Sequence, residues 1–418
     1  MKRNHDDICT SLDDLIDDLK VEILCKLPVK LLAKFTCVSK AWQRLIINFC
    51  FPKMAPNKLT YSGYVTRIKT LFFSCGFSFG SSFDDLWEKL ELSRNYRREL
   101  LDSCNGLLLL CHPGTVRTQQ TIPNLYHYYV INVLTKQCAI ITKPYPSTGR
   151  NKFAALDYDP SKSCHYKIVR FVGFRSLNIF YSKNGNWITL RYRLENHVAR
   201  ANWEKRSIYF KGAFYRLSMS GHLIIFYVHQ EINVSARVQA IELPKVARTS
   251  TFGCVGINKD QIHFSHSNES SLRIWVLQHD CSRTNNNYEW LLKCTILSNM
   301  IPSQYFQPMA FHPYDDTIIL LLNKEVYIFH AYHFGDPPVN ESKLSSTTSI
   351  NYKWFYRVVF PFLQCEVPFA IGMVDEPTVS ILPYFHLSYL LYCHQLYIYL
   401  ENFLLMNIYI YIYIYKYL

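Results

Sequence analysis

The residue types that best fit a catalytic motif lie at Gly76-Phe77-Ser78-Phe79-Gly80. A G-x-S-x-G pattern places a nucleophilic serine on a sharp turn between a strand and a helix in hydrolases. An apolar run precedes the motif and a helix-like run follows it. The mechanism also needs an acid and a histidine on a sheet of alternating strands and helices, whereas the downstream chain is nearly all strand-like. A serine hydrolase using Ser78 is therefore the alternative, and we expect no catalytic residue.

A second group with possible chemistry consists of His263, His266 and Cys254, whose side chains are of types that ligate transition metals. Two histidines three residues apart, without a cysteine pair at zinc-ligand spacing, are a weak signal. The chain also contains no glycine-rich phosphate loop and no dinucleotide-binding fingerprint. We predict no metal site and no cofactor.

Composition narrows the partners and the compartment. The 418 residues carry a formal net charge of +13, but Lys and Arg are spread along the chain rather than clustered in one stripe. We therefore expect a basic surface and no nucleic-acid partner. The 14 cysteines form no C-x-x-C pair, and the chain turns acidic where a secretion signal needs an apolar core. Reduced thiols in the nucleus or the cytoplasm are the expectation.

Residues 12–50 show the periodicity of three short helices. Leu15, Leu19, Ile23 and Leu27 recur every four residues, which indicates one apolar helix face. Pro28 ends that helix, because proline cannot continue it. A second helix and a third follow, with Ser39 as the N-cap of the third. Three short helices form a small core, so the rest of the chain, a membrane or a partner must cover their apolar surface.

This segment resembles the F-box of plant F-box proteins. Glu22-Ile23-Leu24, Leu27-Pro28-Val29-Lys30 and Cys37-Val38-Ser39-Lys40-Ala41-Trp42 match that motif in identity and spacing. The resemblance implies that the apolar face binds a Skp-type adaptor, which links to a cullin scaffold. The residues implied for adaptor binding are Leu15, Ile16, Leu19, Ile23, Leu24, Leu27, Pro28, Leu31, Leu32, Val38, Trp42 and Leu45. Ile16 stands where the family has its first proline, which keeps an apolar contact but loses a rigid helix start.

From residue 65 to residue 384, short strand-like runs rich in β-branched and aromatic residues alternate with polar turns. Asn184-Gly185 between two such runs predicts a hairpin. No helix follows each strand, which argues against a parallel α/β fold. We predict a mostly antiparallel β domain, so that the fold class of the whole chain is α+β and multidomain.

The β region is similar to the F-box-associated domain of plant proteins. The matching pieces, in order, are Ser103-Cys104-Asn105-Gly106-Leu107-Leu108, Tyr158-Asp159-Pro160, Trp275-Val276-Leu277 and Phe311-His312-Pro313. The resemblance implies a β-propeller, in which about 40–50 residues per blade give about six blades. Two departures are Val133, where the family has the proline of an N-P-x-T turn, and Arg216, where it has a tryptophan.

The remaining segments complete the predicted organisation. We expect a disordered N-terminus over residues 1–11, a linker over 51–64 and an apolar low-complexity tail over 385–418. The tail ends in MNIYIYIYIYKYL, and Tyr-Ile repeats are what a run of TATATA encodes. We interpret it as a segment without selected function and expect no membrane association.

Together these features predict a non-enzymatic substrate receptor of an SCF-type ubiquitin ligase. The F-box would bind the adaptor, and the β domain would bind a target protein that the sequence does not identify. Besides the hydrolase, the alternative is a scaffold or membrane-tethered binding protein without ligase activity.

Overall fold

The structure is a computed structural model. It describes residues 16–68, 71–74, 99–111, 127–135, 137–142, 153–172, 175–228, 236–248, 253–268, 270–280, 287–297, 306–315, 318–323, 328–333 and 359–369. The predicted disordered N-terminus (1–11) and apolar tail (385–418) lie outside these residues.

The N-terminal region contains three short helices, as the sequence predicts. They are α1 (Asp17–Leu24), α2 (Val29–Phe35) and α3 (Lys40–Leu45). Pro28 immediately precedes α2 with φ of −57°, and the Ser39 hydroxyl caps α3 by accepting the Trp42 N–H at 3.1 Å. The predicted N-cap at Ser39 is therefore confirmed.

Residues 51–64, which were predicted to be a linker, form helical turns and the start of a strand. A π-helical turn (Ile46–Cys50) continues directly into α4 (Phe51–Met54), a 3-10 turn (Ala55–Lys58) and the first strand. Pro52 and Pro56 each stand in the first turn of their helical segment, where the missing N–H has no helical partner to lose. Both prolines therefore begin helical turns.

The β domain is built from antiparallel sheets, six of them within the described residues. We number them as blades in the order of the chain. Blade 1 contains β1 (Leu59–Ile68), β2 (Leu71–Ser74) and the last described strand, β22 (Val359–Cys365). Blade 2 contains β3 (Glu99–Cys104), β4 (Leu107–Cys111), β5 (His127–Asn132) and β6 (Gln137–Thr142).

The other blades follow the same order. Blade 3 contains β7 (Ala154–Asp157), β8 (Lys167–Val172), β9 (Ser176–Tyr181) and β10 (Asn186–Arg191), and blade 4 contains β11 (Trp203–Phe210), β12 (Ala213–Ser218), β13 (His222–Tyr227) and β14 (Arg237–Glu242). Blade 5 contains β15 (Gly253–Asn258), β16 (Gln261–Ser267), β17 (Ser271–Asp280) and β18 (Asn287–Leu297), and blade 6 contains β19 (Phe306–Phe311), β20 (Ile318–Asn323) and β21 (Ile328–His333). A short helix, α5 (Asn196–Arg200), connects blades 3 and 4.

Six strands form a closed ring at the centre. Each of these strands contacts the next one around the ring, in the order β3, β7, β11, β15, β19 and β22, and β22 contacts β3 again. The ring closes because β22, near the end of the described chain, pairs antiparallel with β1, with Leu59 opposite Cys365. This is a β-propeller in which blade 1 combines strands from both ends of the domain.

Apolar side chains fill the spaces between neighbouring blades. Between blades 3 and 4, the ring of Phe226 packs edge-to-face on Phe171 and on Tyr192, with centroids 5.0 and 5.3 Å apart. The other clusters join blades 2 and 3, blades 4 and 5, and blades 5 and 6. Inner strands between two such clusters are covered on both faces, so they have nearly continuous burial, as in Leu107–Cys111, rather than strict alternation.

The predicted hairpin at Asn184-Gly185 is confirmed. β9 and β10 pair in register from Tyr181 opposite Asn186 outward. Gly185 has a φ of +71°, a conformation that glycine adopts without a steric penalty.

Val133 does not prevent formation of the turn in which the family has a proline. The Asn132 side-chain oxygen accepts the N–H groups of Leu134 and Thr135 at 3.1 and 3.2 Å. Its amide nitrogen donates to the carbonyls of Cys365 and Val367 at 3.0 and 3.2 Å. Asn132 therefore both closes the turn and ties blade 2 to the segment that ends blade 1.

Arg216 replaces the expected tryptophan by stacking its guanidinium among aromatic rings. The group lies 4.4 Å from the ring centroid of Phe153, 4.7 Å from that of Phe171 and 5.5 Å from that of Trp203. Its Nε donates to the carbonyl of Glu204 at 2.7 Å, while both terminal nitrogens are buried without a hydrogen-bond partner among the described residues. Burial lowers the pKa of Arg216, which indicates that its charge is costly here.

The Arg216→Met variant is therefore expected to be more stable than the wild type by about 1–3 kcal/mol, because an apolar side chain of similar length needs no solvation. Urea unfolding followed by tryptophan fluorescence measures the difference. Arg216→Lys is the matched control, since it keeps the charge but loses the planar stacking, and it should be less stable than the wild type. A destabilised methionine variant would show that the cation stabilises the aromatic cluster.

Candidate adaptor-binding site

The F-box helices have a core of their own that extends into the propeller. Leu24, Leu32 and Ile46 are fully buried, and Cys365 and Val367 of the blade 1 terminus belong to the same cluster. The backbone N–H of Glu366 donates to the carbonyl of Lys58 at 3.2 Å. The F-box is thus packed on the strand that closes the ring.

Three of the residues predicted to bind the adaptor are buried in this core. Leu24, Leu32 and Leu45 are 0%, 0% and 8% exposed. The chain itself already covers them, so they are not part of the exposed surface of the F-box, and their role in adaptor binding stays a prediction. Periodicity marks a residue as apolar and helical, but it does not say which of two apolar faces points inward.

A second apolar row of the F-box is open to solvent. Ile16 and Leu19 are 66% and 48% exposed, Pro28 is exposed, and Ile23 and Leu27 are half-buried. Leu15, the first residue of the predicted row, lies outside the described residues. Helix α1 buries Val21 and Leu24 on its inner side, whereas Leu19 lies on its exposed side.

The second and third helices add partly covered apolar side chains. Leu31, Val38 and Trp42 are half-buried against the F-box core. The Trp42 ring packs edge-to-face on Phe35, with centroids 5.9 Å apart. A half-buried aromatic side chain held in this way is typical of the anchors that dominate protein interfaces.

Sequence reasoning missed one exposed apolar residue of the F-box. Phe49 is 58% exposed and lies in the π-helical turn Ile46–Cys50. A π-helical turn contains more residues than an α-helical turn. A search for apolar residues at 3.6-residue spacing therefore does not identify Phe49 as part of an apolar helix face. The run Ile46-Ile47-Asn48-Phe49 carries no other signal.

The F-box surface around these residues is basic. Between residues 16 and 58 the chain has eight Lys or Arg residues and three Asp or Glu residues, and all three acids lie in α1. Lys53 pairs with Glu22, which lowers the pKa of that carboxyl. Burial raises the pKa of the Cys50 thiol to about 12, so it is an unreactive core residue.

The histidine pair is not arranged for one metal ion. His263 and His266 lie three residues apart in β16, so their side chains point to opposite faces of the sheet. Cys254 is opposite Ser265 in the register and therefore shares the face of His263. Ser78 and its glycines lie outside the described residues.

The helix start at Ile16 gives a direct test of the departure from the family motif. Ile16 has φ of −65° and ψ of 148°, which are values that proline adopts. The Ile16→Pro variant is therefore expected to be more stable by about 0.4–1 kcal/mol, because proline restricts the unfolded chain. Thermal unfolding measures the gain, and Ile16→Ala controls for loss of the side chain. A proline variant less stable than the alanine variant would contradict this reasoning.

No helix within the described residues is long and apolar enough to cross a membrane.

Comparison with known proteins agrees with the architecture of helices followed by a propeller. Residues 12–54 match the F-box domain, and residues 78–331 match the β-propeller of the family described as F-box protein At3g26010-like. These matches and the closed ring of sheets define an F-box protein with a β-propeller. The chain belongs to the At3g26010-like β-propeller family of F-box proteins.

Its curated relatives are plant F-box proteins. The F-box protein At5g07610 of Arabidopsis thaliana is 32% identical over 179 residues, which are 40% of this chain and 40% of the relative. A second Arabidopsis F-box protein, At5g52610, is 27% identical over 227 residues, which are 51% of this chain and 59% of the relative. The matches thus span less than two thirds of either relative.

Among solved structures, the β-propeller domain of Cps50 (Swd1) from Myceliophteria thermophila is 9% identical, with 56% of this chain and 69% of that chain covered and a TM-score of 0.34. A likeness at this level adds nothing to the family match.

Proposed function

We propose that this protein is a non-catalytic substrate receptor of an SCF-type ubiquitin ligase. The F-box binds a Skp-type adaptor, and through it a cullin scaffold, while the propeller binds a target protein. Ubiquitin transfer is then carried out by other subunits, and this chain contributes proximity.

The observation that carries the proposal is the exposed apolar row on the outer side of α1. Ile16 and Leu19 expose large apolar side chains on helices whose inner side is already packed. Burial of such a side chain contributes about 1.5–3 kcal/mol, which makes a partner interface the simplest use of this surface.

The test is a pull-down of the full chain by a purified plant Skp-type adaptor. The full chain is required, because a fragment of the first 60 residues would lose the core contacts of Cys365 and Val367. Leu19→Asp is expected to weaken adaptor binding at least tenfold, because it places a charge in an apolar interface.

Leu297→Asp is the matched control. Leu297 is 51% exposed in β18, far from the F-box in the chain, and its replacement should leave adaptor binding within twofold of the wild type. Circular dichroism confirms that both variants are folded. Equal binding by the two variants, or no binding by the folded wild type, would contradict the proposed adaptor site.

We also propose that the protein acts in the nucleus or the cytoplasm. The cysteines within the described residues are all free, as expected of a reducing compartment. A fluorescent fusion imaged in plant cells tests this location, and a secreted or membrane-bound signal would contradict it.

A further inference from the structure

The propeller has one face beside the F-box and one face away from it. Cys365 ends β22 against the F-box core, and the ring of Tyr61 in the same blade packs on His312, with centroids 4.3 Å apart. Asn258, at the end of β15, donates to the carbonyl of His312 at 2.7 Å. Lys211, which follows β11, donates to the carbonyl of Asp260 at 3.3 Å. The ends of β11, β15, β19 and β22 therefore lie on the F-box side.

The turn between β12 and β13 lies on the opposite side, because β12 runs antiparallel to β11 and β13 then runs back antiparallel to β12. Backbone hydrogen bonds join this turn to the connection that precedes β11 and to the one that follows β14. The Met219 N–H donates to the carbonyl of Asn202 at 2.8 Å, and the Leu243 N–H donates to the carbonyl of Gly221 at 2.9 Å.

Gly221 fixes this arrangement further. It has a φ of +77°, and a Cβ on it would lie 2.9 Å from the backbone oxygen of Arg248. Three segments are thus joined into one surface: residues 193–202 between β10 and β11, residues 219–221 between β12 and β13, and residues 243–248 after β14. We call this surface the distal platform.

Two apolar side chains project from the distal platform. Met219 is 48% exposed and Val246 is 50% exposed. Between the connections, the rings of His197 and His222 pack edge-to-face, with centroids 5.4 Å apart. Single exposed apolar side chains are common on protein surfaces, but these two lie on connections that hydrogen bonds join into one surface.

The charges of the distal platform are mainly positive. Arg193, Arg200 and Lys245 are exposed, and they make no ion pair within the described part of the chain. Glu195 is the acid within the platform, and Glu242, which borders it, pairs with Arg248 at 2.6 Å. The surface therefore carries more positive than negative charge around two apolar side chains.

We propose that the distal platform binds a segment of the target protein in which acidic residues stand beside apolar ones. This inference rests on the proposed substrate-receptor function and specifies the chemistry of the target. Positive charge steers and orients an acidic segment, and Met219 and Val246 supply apolar contact. The platform faces away from the F-box, so adaptor and target bind at the same time. Nucleic acid is disfavoured because the two exposed apolar side chains have no role in binding phosphates.

The experiment measures binding of labelled peptides to the full chain by fluorescence anisotropy. The probes are a dodecapeptide of alternating Glu and Leu, one of alternating Glu and Ser, and one of alternating Lys and Leu. The Glu-Leu peptide should bind at least tenfold more tightly than either of the others. The double variant Met219→Ser with Lys245→Glu should weaken its binding at least tenfold.

The matched control is Ile188→Ser with Lys183→Glu, which removes one exposed apolar group and reverses one charge elsewhere on blade 3. It should bind the Glu-Leu peptide within twofold of the wild type. Equal loss in the control would overturn the proposal, since it would show a nonspecific response to net charge. Tighter binding of a 12-base-pair DNA duplex, lost in the platform variant, would overturn it in favour of nucleic acid.

Adaptor binding by the same proteins separates this proposal from the function on which it rests. The platform variant should bind the Skp-type adaptor as the wild type does. Peptide binding without adaptor binding by the wild type would support the platform and contradict the ligase role. Adaptor binding without peptide binding would overturn the platform and leave the receptor function standing.

Discussion

The Gly106→Val variant is expected to lose about 4 kcal/mol or more of its free energy of unfolding, enough to unfold a marginally stable domain. Gly106 has a φ of +93°, and a Cβ there would lie 2.4 Å from the Cβ of Cys365 and 2.8 Å from its backbone nitrogen. Backbone strain at a positive φ costs about 1–3 kcal/mol, and overpacking against fixed atoms costs a similar amount. Urea unfolding monitored by circular dichroism measures the loss.

The position of Gly106 makes the effect large. It lies in the turn that follows β3, against the end of the strand that closes the propeller and belongs to the F-box core. Displacing Cys365 would disturb the pairing of β22 with β1, in which it lies opposite Leu59. Adaptor binding should therefore fall together with propeller stability.

Gly185→Ala is the control for backbone strain. Gly185 also has a positive φ, +71°, but it lies in the partly exposed β9–β10 turn. Its replacement should cost only about 1 kcal/mol. If Gly106→Val costs no more than Gly185→Ala, the contact with Cys365 is not what requires glycine.

The second large effect is expected at Asp102, which joins two blades. This residue is 3% exposed, and its carboxylate accepts the N–H groups of Ser103 at 2.9 Å and of Leu156 at 2.7 Å. Leu156 belongs to β7 of the next blade. Asp102→Ala leaves both N–H donors buried without an acceptor, so we expect a loss of about 3–5 kcal/mol in urea unfolding.

The pH dependence of this site has a definite sign. Burial raises the pKa of Asp102 from 3.8 to about 7. Between those values the folded protein keeps a proton that the unfolded chain releases, so ionisation favours the unfolded state. The contribution of Asp102 to stability is therefore complete below about pH 3.8 and decreases as the pH rises to about 7.

Asp102→Asn isolates that contribution, because asparagine does not titrate. The wild type should be more stable than the Asn variant at pH 4, and the difference should shrink as the pH approaches 7. Urea unfolding at pH 4, 5.5 and 7 measures it. A difference that stays constant or grows with pH would show that Asp102 is ionised throughout this range.

Local sequence was sufficient to predict structural features that a few adjacent residues determine. Ser39 caps α3 through its own hydroxyl, and Asn184-Gly185 forms its hairpin from adjacent residues. The F-box and propeller assignments came from resemblance and are confirmed by the family matches. The helical turns within the predicted linker over 51–64 begin at Pro52 and Pro56, and no periodicity of apolar residues predicted them.

The composition and periodicity of the chain determined its element types: short N-terminal helices, then strands separated by turns. Only the tertiary structure decided which apolar residues are core and which are surface. Leu24 and Leu19 are alike in sequence, yet one is buried and the other is 48% exposed. Burial depends on contacts with residues such as Cys365 and Val367, which are more than 300 positions away in the chain. Ring closure and the distal platform have the same origin, since they join segments whose proximity no local pattern encodes.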